Sequence, residues 1–367
     1  MQFVLKVIKI TFILAKRIVK FFYHDTKVIF ALMNRNKTRQ SSIVSVHLGD
    51  KRFTGGNFAI FLIWQPNGIP WYVTNAIVAL NNTGVNIIAV VNNEITSDIR
   101  KYLQNQCHTL LIRDNSGYDI GGYKDASIFV DLNFSDISRV IYMNDSVYYF
   151  KENISELFIK LINSPFDICG TFENREKKYH IQSFCFSVSG RLFKNSKFQK
   201  FWNDYLPVNS RLWAINEGEI ALSQTMLPLS DQYEILYNAS DLVQRLKDCE
   251  TSSLFQLNKY LPQKARFTEG EFDLLSPQQA TAFIVQRIQT RSQIHTGAFL
   301  FKKYLNCPIM KRDLVYRLQF TASEISTLMS ELQYGEAGEL VLQEMEKKGT
   351  PRQLSLIKQL RVAVGIL

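Results

Sequence analysis

Short apolar runs, each ended by a polar or glycine-rich cluster, recur along the first half of the chain. Phe58 to Trp64 ("FAIFLIW") runs into the turn "QPNG", and Val85 to Val91 ("VNIIAVV") ends at Asn92 and Asn93. His108 to Ile112 leads into "RDNSGYDIGGYKD", and Arg139 to Met143 ("RVIYM") stops at Asn144, Asp145 and Ser146. A short run with no polar interruption reads as a strand buried on both faces. Between these runs, residues 73–80, 96–106, 123–130 and 153–163 have helical spacing, and a further strand is expected over 166–171, followed by the alternating "HIQSFCFSVSG". Buried strands alternating with helices predict an α/β fold on a mainly parallel, Rossmann-type sheet. Ligands of such sheets bind outside the carboxyl ends of the strands. The three polar clusters therefore mark one candidate edge.

The stretch 113–125 is the most unusual of the three. It places Gly117, Gly121 and Gly122 among Asp114, Asp119 and Asp125. Glycine serves where φ must be positive or where a ligand approaches the main chain. The stretch reads as a loop that cradles a ligand, or as an elaborate turn into a helix.

Chemistry is expected at few other places. A strand that runs into Asn144-Asp145-Ser146 can offer a carboxylate to a divalent cation on a diphosphate, or can simply cap a helix. Glu217 and Glu219, in "INEGEIALSQTM", flank Gly218 at the start of an expected helix. They suit either the helix dipole or a general base for a sugar hydroxyl. His180, Gln182 and Ser183 begin the alternating strand and can line a pocket. His295 could complete a metal site with Asp145.

The amino terminus, "QFVLKVIKITFILAKRIVKFF" (2–22), carries Lys6, Lys9, Lys16, Arg17 and Lys20 on one narrow arc of a helix, with apolar residues around it. Five cations and the lack of a cleavage-site pattern argue against a membrane span or a signal peptide. A basic amphipathic helix lying in a membrane interface is expected, the alternative being a helix packed on the protein. With 46% hydrophobic residues the chain can bury a sizeable core, and 43 basic against 33 acidic residues leave a net charge of +10. Such a surplus suits an anionic partner. Five widely spaced cysteines form no pair or metal motif and are expected to be buried thiols in a reducing compartment. Residues 1–42 are expected as an N-terminal helical region, 43–325 as the main domain and 326–367 as a helical tail broken at Thr350-Pro351.

Taken in order, "FAIFLIWQPNG", "NIIAVVNN", "RDNSGYDIGGYKDA", "VIYMNDS", "CFSVSGRLF" and "NEGEIALSQ" resemble the landmarks of inverting GT-A glycosyltransferases. With "CPIMKRDLV" at 307–315, they are most similar to the rhamnan synthesis protein F family of bacterial polysaccharide assembly, over roughly residues 55–325. The resemblance implies a GT-A-like fold. It also implies transfer of rhamnose or another deoxyhexose from a nucleotide-diphosphate donor to a surface polysaccharide, lipopolysaccharide or lipid-linked acceptor. It places Asn92, Asn115, Gly117, Tyr118, Asp119, Gly122, Asn144, Asp145 and Ser146 at the donor. His180, Gln182, Ser183 and Lys311 fall at the acceptor or phosphate, and Glu217 or Glu219 at the base. Lys311 and Arg312 are candidates to neutralise the diphosphate if the late motif folds back onto the site. Mg²⁺ or Mn²⁺ on Asp145 and His295 is a further expectation, weakened by Ser146 where many such enzymes have a second acid. The basic helix implies peripheral association with the inner face of the plasma membrane.

Other classes fit less well. A degenerate scaffold in a glycan assembly complex keeps the fold without the catalysis. Nucleic-acid binding rests on charge alone, with no basic helix-turn-helix, aromatic RNA-binding motif or zinc knuckle, so no nucleic-acid partner is expected. No GxGxxG follows the first strand, which argues against a dinucleotide oxidoreductase.

Overall fold

The structure, a computed structural model, describes residues 13–272, 275–350 and 355–363. The expected strands form in the expected places. The first seven strands are β1 (Ile43–Leu48), β2 (Asn57–Ile63), β3 (Asn86–Val91), β4 (Thr109–Arg113), β5 (Arg139–Asn144), β6 (Val147–Tyr149) and β7 (Ile168–Gly170), of which β1 and β6 are not anticipated from the sequence. After them come β8 (Glu173–Asn174), β9 (His180–Ile181), β10 (Cys185–Ser189), β11 (Tyr233–Ile235) and β12 (Ile309–Lys311). Eight of them build one sheet in the order β1-β4-β3-β2-β5-β10-β7-β11. Only β1 and β10 run against the rest.

The chain steps outward from β2 to β3 to β4, then returns to lay β5 along the other side of β2. A crevice opens where such a sheet reverses its order. Here that point lies between the carboxyl ends of β2 and β5.

Burial on both faces explains why the interiors of these runs are apolar, with polar residues such as Asn86 and Arg139 kept to the strand ends. Along β2, Phe58, Ile60 and Leu62 enter one core and Ala59, Phe61 and Ile63 the other. In β3, Ile88 and Val90 alternate in the same way with Ile87, Ala89 and Val91. Helices α2 (Trp71–Asn82), following α1 (Thr26–Met33), and α4 (Ile154–Asn163) cover the Phe61 side, while α3 (Tyr118–Asn133) covers the Leu62 side. Each large apolar side chain buried this way contributes about 1.5–3 kcal/mol. Two later helices, α5 (Ala322–Glu331) and α6 (Glu336–Lys348), add Ile325, Leu328, Met329, Val341 and Met345 to the Phe61-side core. Cys107, Cys169, Cys185 and Cys307 are buried and Cys249 is half-buried, all as free thiols.

Three local expectations need correction. Helix α3 starts at Tyr118 rather than at 123, so Asp119, Gly121 and Gly122 lie in helical turns and not in a loop. The alternating stretch after 180 is two strands, β9 and β10, separated by a turn. The acidic pair sits in a π-type turn, Ala214–Ile220, ahead of helix Ala221–Met226. At the amino terminus, the part of the expected basic helix up to residue 12, with Lys6 and Lys9, lies outside the described residues. From residue 13 the chain is helical, passes through a π-helical stretch at Phe21–Asp25 and continues as α1.

Candidate active site

The glycines of 113–125 are explained by what surrounds them. Gly117 has φ +72°, and a β-carbon there would lie 2.5 Å from Pro207 Cα. At Gly122 a β-carbon would lie 1.9 Å from Leu62 Cδ1, and at Gly121 2.0 Å from the Ser116 carbonyl oxygen. The space at Gly117 and Gly122, expected to admit a donor, is filled by protein. These glycines seat the first turns of α3 against β2 and the 207–211 segment. Tyr118 also has a positive φ, 53°, a costly conformation for a bulky residue. The turn is held from several directions. Asn209 Oδ1 accepts the Gly117 N–H (2.7 Å), and the Asn92 amide donates to Asn115 Oδ1 (3.2 Å) and to the Tyr118 carbonyl (3.3 Å).

Behind the turn sits a buried ion pair. Arg113 Nε donates to Asp125 Oδ2 at 2.9 Å, with the two side chains 0% and 3% exposed. The same guanidinium donates to Asn92 Oδ1 (2.9 Å) and the Ser116 carbonyl (2.8 Å). Lys124, also buried, donates to the carbonyls of Arg39 and Tyr205. Asn92, Arg113, Lys124 and Asp125 therefore shape the turn from inside the protein.

Side chains at the carboxyl end of β5 form a chain of hydrogen bonds with Asp119 and Lys311. Asn144 Nδ2 donates to Asp119 Oδ2 (2.6 Å), Ser146 Oγ donates to Asn144 Oδ1 (2.7 Å), and Lys311 Nζ donates to Ser146 Oγ (3.0 Å). Lys311 reaches this place because β12 pairs with β6, opposite Val147, so the late motif does fold back. Its ammonium lies 4.3 Å from the Phe184 ring centroid. Burial lowers the Lys311 pKa, while Asp313, Glu219 and Asp119 act to raise it. Burial lifts Asp119 to about 6, against the pull of Lys311.

Asp145 is turned inward. Its Oδ2 accepts the Trp64 N–H (2.8 Å) and Gln65 Nε2 (2.7 Å), tying the end of β5 to the end of β2. Burial raises its pKa to about 7, opposed by the Trp64 N–H, Arg312 and Gln65. Arg312 donates to the Asp145 carbonyl (2.7 Å), lies 4.6 Å over the Tyr72 ring and pairs with Glu344 of α6 through two nitrogens.

The two glutamates part company. Glu217 is exposed. Glu219 accepts from Gln182 Nε2 (2.6 Å) and Ser183 Oγ (2.9 Å) and pairs with His180 Nε2 (2.9 Å). Burial works to raise the Glu219 pKa, but His180, Ser183 and Lys311 outweigh it and hold it below the ordinary value. Burial likewise works to lower His180, and Glu219 overrides it to leave the ring pKa raised. His180 Nδ1 faces the Lys178 carbonyl at 2.8 Å, while its Nε2 also lies 3.1 Å from Gln182 Nε2.

The metal expectation meets an unsuitable donor set. His295 does not approach Asp145: its Nε2 faces Asp313 Oδ1 (2.9 Å) and its Nδ1 faces Ser292 Oγ (2.7 Å). One oxygen of Asp145 is already taken up by two donors. Among the described residues no group of three or more His, Cys, Asp or Glu side chains is placed to hold a metal ion. These residues do not fit a protein-held metal centre.

Sequence reasoning missed Arg211, Asp313, Arg317 and Glu344. Arg211 lies within electrostatic reach of Arg317, Asp313, Glu219 and Tyr118. Asp313 is held well below the carboxylate range, burial being outweighed by His295, Arg317 and Lys311. Asp313 and Arg317, four residues apart near a lysine already singled out, were the available signal.

A family model described as rhamnan synthesis protein F matches residues 87–291. The chain belongs to that family. The matched part contains Asp119, Asp145, His180 and Glu219, while Lys311 and Arg312 lie beyond its end. Among curated relatives, the uncharacterized protein y4gN of Sinorhizobium fredii (strain NBRC 101917 / NGR234) is 25% identical over 220 residues. These make up 59% of this chain and 57% of that protein, so the chain spans little more than half of its relative. Among solved structures, the glycosyltransferase GlyE of Streptococcus pneumoniae TIGR4 is 11% identical, with a TM-score of 0.30 over 63% of this chain and 62% of that one. The mannosyltransferase PcManGT of Pyrobaculum calidifontis, in complex with GDP-Man and Mn²⁺, is 6% identical, with a TM-score of 0.34 over 91% and 97%. Overlaps this low leave the argument to the residues.

Proposed function

We propose that this rhamnan synthesis F chain is a glycosyltransferase. It moves a sugar, rhamnose or another deoxyhexose, from a nucleotide-diphosphate donor to a lipid-linked or polysaccharide acceptor at the inner face of the plasma membrane. The observation that carries the reading is the hydrogen-bonded chain Asp119–Asn144–Ser146–Lys311 at the point where the sheet reverses order. A carboxylate stands at one end and an ammonium at the other, and direct displacement with inversion needs both.

The departing diphosphate must have its charge met, and a preorganised cation in a water-poor crevice does this well. Lys311 takes that role. The attacking hydroxyl must lose a proton. A base works best when its pKa lies near the working pH. Asp119, lifted to about 6 with only Oδ2 bound to Asn144, meets this better than Glu219, which is held low by its donors. Glu219 instead fixes His180, Gln182 and Ser183 as a polar wall for the acceptor. Glu217, exposed, has no part in the step.

A second reading, a scaffold that binds without catalysis, is favoured by the inward turn of Asp145. The two separate in an assay that follows nucleoside diphosphate released from a panel of nucleotide sugars in the presence of membrane extract. Wild-type release that falls at least about a hundredfold in Asp119→Asn supports the transferase with this base. A comparable loss only in Glu219→Gln moves the base to Glu219. No release from any donor by the folded protein favours the scaffold.

A further inference from the structure

The helical segment that opens the described chain is inside out. A helix resting on a water-soluble protein turns apolar residues inward and polar ones outward. Here the inward contacts include polar ones: His24 Nδ1 lies 2.6 Å from Ser210 Oγ, and Lys27 Nζ donates to the Asn209 carbonyl at 2.7 Å. Only Ala31 is buried, with Val28 packed beside it against Leu206 and Val208. The outward side carries Ile13, Leu14, Ile18, Phe21, Phe22, Ile29, Phe30, Leu32 and Met33, with Phe22 63%, Phe30 69% and Met33 80% exposed. That much contiguous apolar surface marks a contact site.

Charge identifies the occupant. Residues 13–39 contain seven cations and one acid, Asp25. Arg17, Lys20, Arg35 and Lys37 are exposed. An apolar helix face rimmed by cations is complementary to an anionic bilayer, whose acyl region takes the rings and whose head groups take the charges. Among the described residues no helix is long and apolar enough to cross a membrane, so the fit is to a helix lying in the interface.

We infer that the outward face of residues 13–33 docks on an anionic lipid bilayer and holds the crevice beside it. The same helix that presents this face braces Asn209 and Ser210, and Asn209 caps Gly117 at the start of α3. Arg361, from the last described helix, lies over the Tyr23 ring at 4.4 Å and within electrostatic reach of Tyr118. The docking rests on the helix alone; its purpose, delivery of a lipid-borne acceptor, rests on the transferase reading.

The test is co-sedimentation of the full chain with phosphatidylglycerol vesicles and with pure phosphatidylcholine vesicles. The same proteins are titrated with nucleoside diphosphates by calorimetry. The expected result is binding to the anionic vesicles that falls at least about tenfold in Phe22→Glu/Phe30→Glu/Met33→Glu, and several-fold in Arg35→Gln/Lys37→Gln, with nucleotide binding unchanged. Wild-type binding undiminished in the triple variant overturns the inference. So does a wild-type chain that ignores vesicles and self-associates through this face, which would make a second copy the occupant. Vesicle binding without nucleotide binding in the wild type leaves the docking standing and removes the transferase reading.

Discussion

Lys311 donates to the Ser146 hydroxyl across 3.0 Å of space and 165 residues of chain. The pairing of β12 with β6 creates this contact, which brings a cation from beyond the family match to the end of β5. Replacing the ammonium with an apolar side chain of similar length tests its role. Lys311→Met is expected to weaken nucleoside-diphosphate binding by about 10–100-fold, the worth of a charge-assisted hydrogen bond of about 1.5–3 kcal/mol. Calorimetry gives the affinity, and an unchanged melting temperature shows that the fold is intact.

Glu344 acts on the site through Arg312. It grips two guanidinium nitrogens while a third reaches the Asp145 carbonyl. Glu344→Gln leaves Arg312 stacked on Tyr72 but loosens its aim. A misplaced end of β5 is expected to cost about 5–10-fold in kcat/KM. Loss of a part-exposed ion pair costs under about 1 kcal/mol of stability. A melting temperature that collapses with activity would make Glu344 merely structural.

Arg113 and Asp125 are a stability element rather than ligand contacts. Asp125→Ala strands a buried guanidinium and is expected to cost about 3–5 kcal/mol in urea unfolding. Replacing both residues with apolar ones of matching size should recover much of that loss. A single variant as stable as the wild type would contradict the burial of the pair.

The His180–Glu219 pair has a defined pH window. The raised His180 pKa gives stability that is present below 6.5 and lost as pH rises through the folded value. The lowered Glu219 pKa gives stability present above 4.5 and lost as pH falls through its folded value. Asp119 and Asp145, raised to about 6 and about 7, act oppositely and withdraw stability as they ionise between pH 4 and 7. The difference in melting temperature between the wild type and Glu219→Gln isolates the pair. It should be largest between about pH 4.5 and 6.5 and shrink on either side. A difference independent of pH would contradict the ion pair.

Gly122→Ala tests the packing account of the glycine-rich turn. The new methyl meets Leu62 Cδ1 and should destabilise the protein by about 1–3 kcal/mol. Loss of nucleotide binding at full stability would instead put a ligand at Gly122.

Much of the fold could be read from β2, β3 and β5, whose apolar positions alternate between two cores and leave polar residues only at the strand ends, Asn57, Asn86, Arg139 and Asn144. The location of the candidate site was suggested by the polar clusters that end those strands, and the late Lys311 motif was recognisable as well. The glycines were misleading. Spacing signals backbone freedom but not what occupies the freed space, and here Leu62 and Pro207 occupy it. A helix that begins with two left-handed residues, Gly117 and Tyr118, has no local pattern to announce it. Glu219 looked equal to Glu217 because only tertiary packing gives it His180, Gln182 and Ser183. Glu344 was hidden for the same reason, since it acts through Arg312, outside its own segment.

The most direct measurement is calorimetry of the purified chain with nucleoside diphosphates and nucleotide sugars, with and without Mn²⁺ or Mg²⁺, alongside Lys311→Met and Asp119→Asn. The account predicts that one nucleotide class binds without requiring the metal. Lys311→Met should weaken that binding while Asp119→Asn preserves it and loses turnover. Binding that depends strictly on metal and ignores Lys311, or no binding to any member by the folded protein, would contradict it.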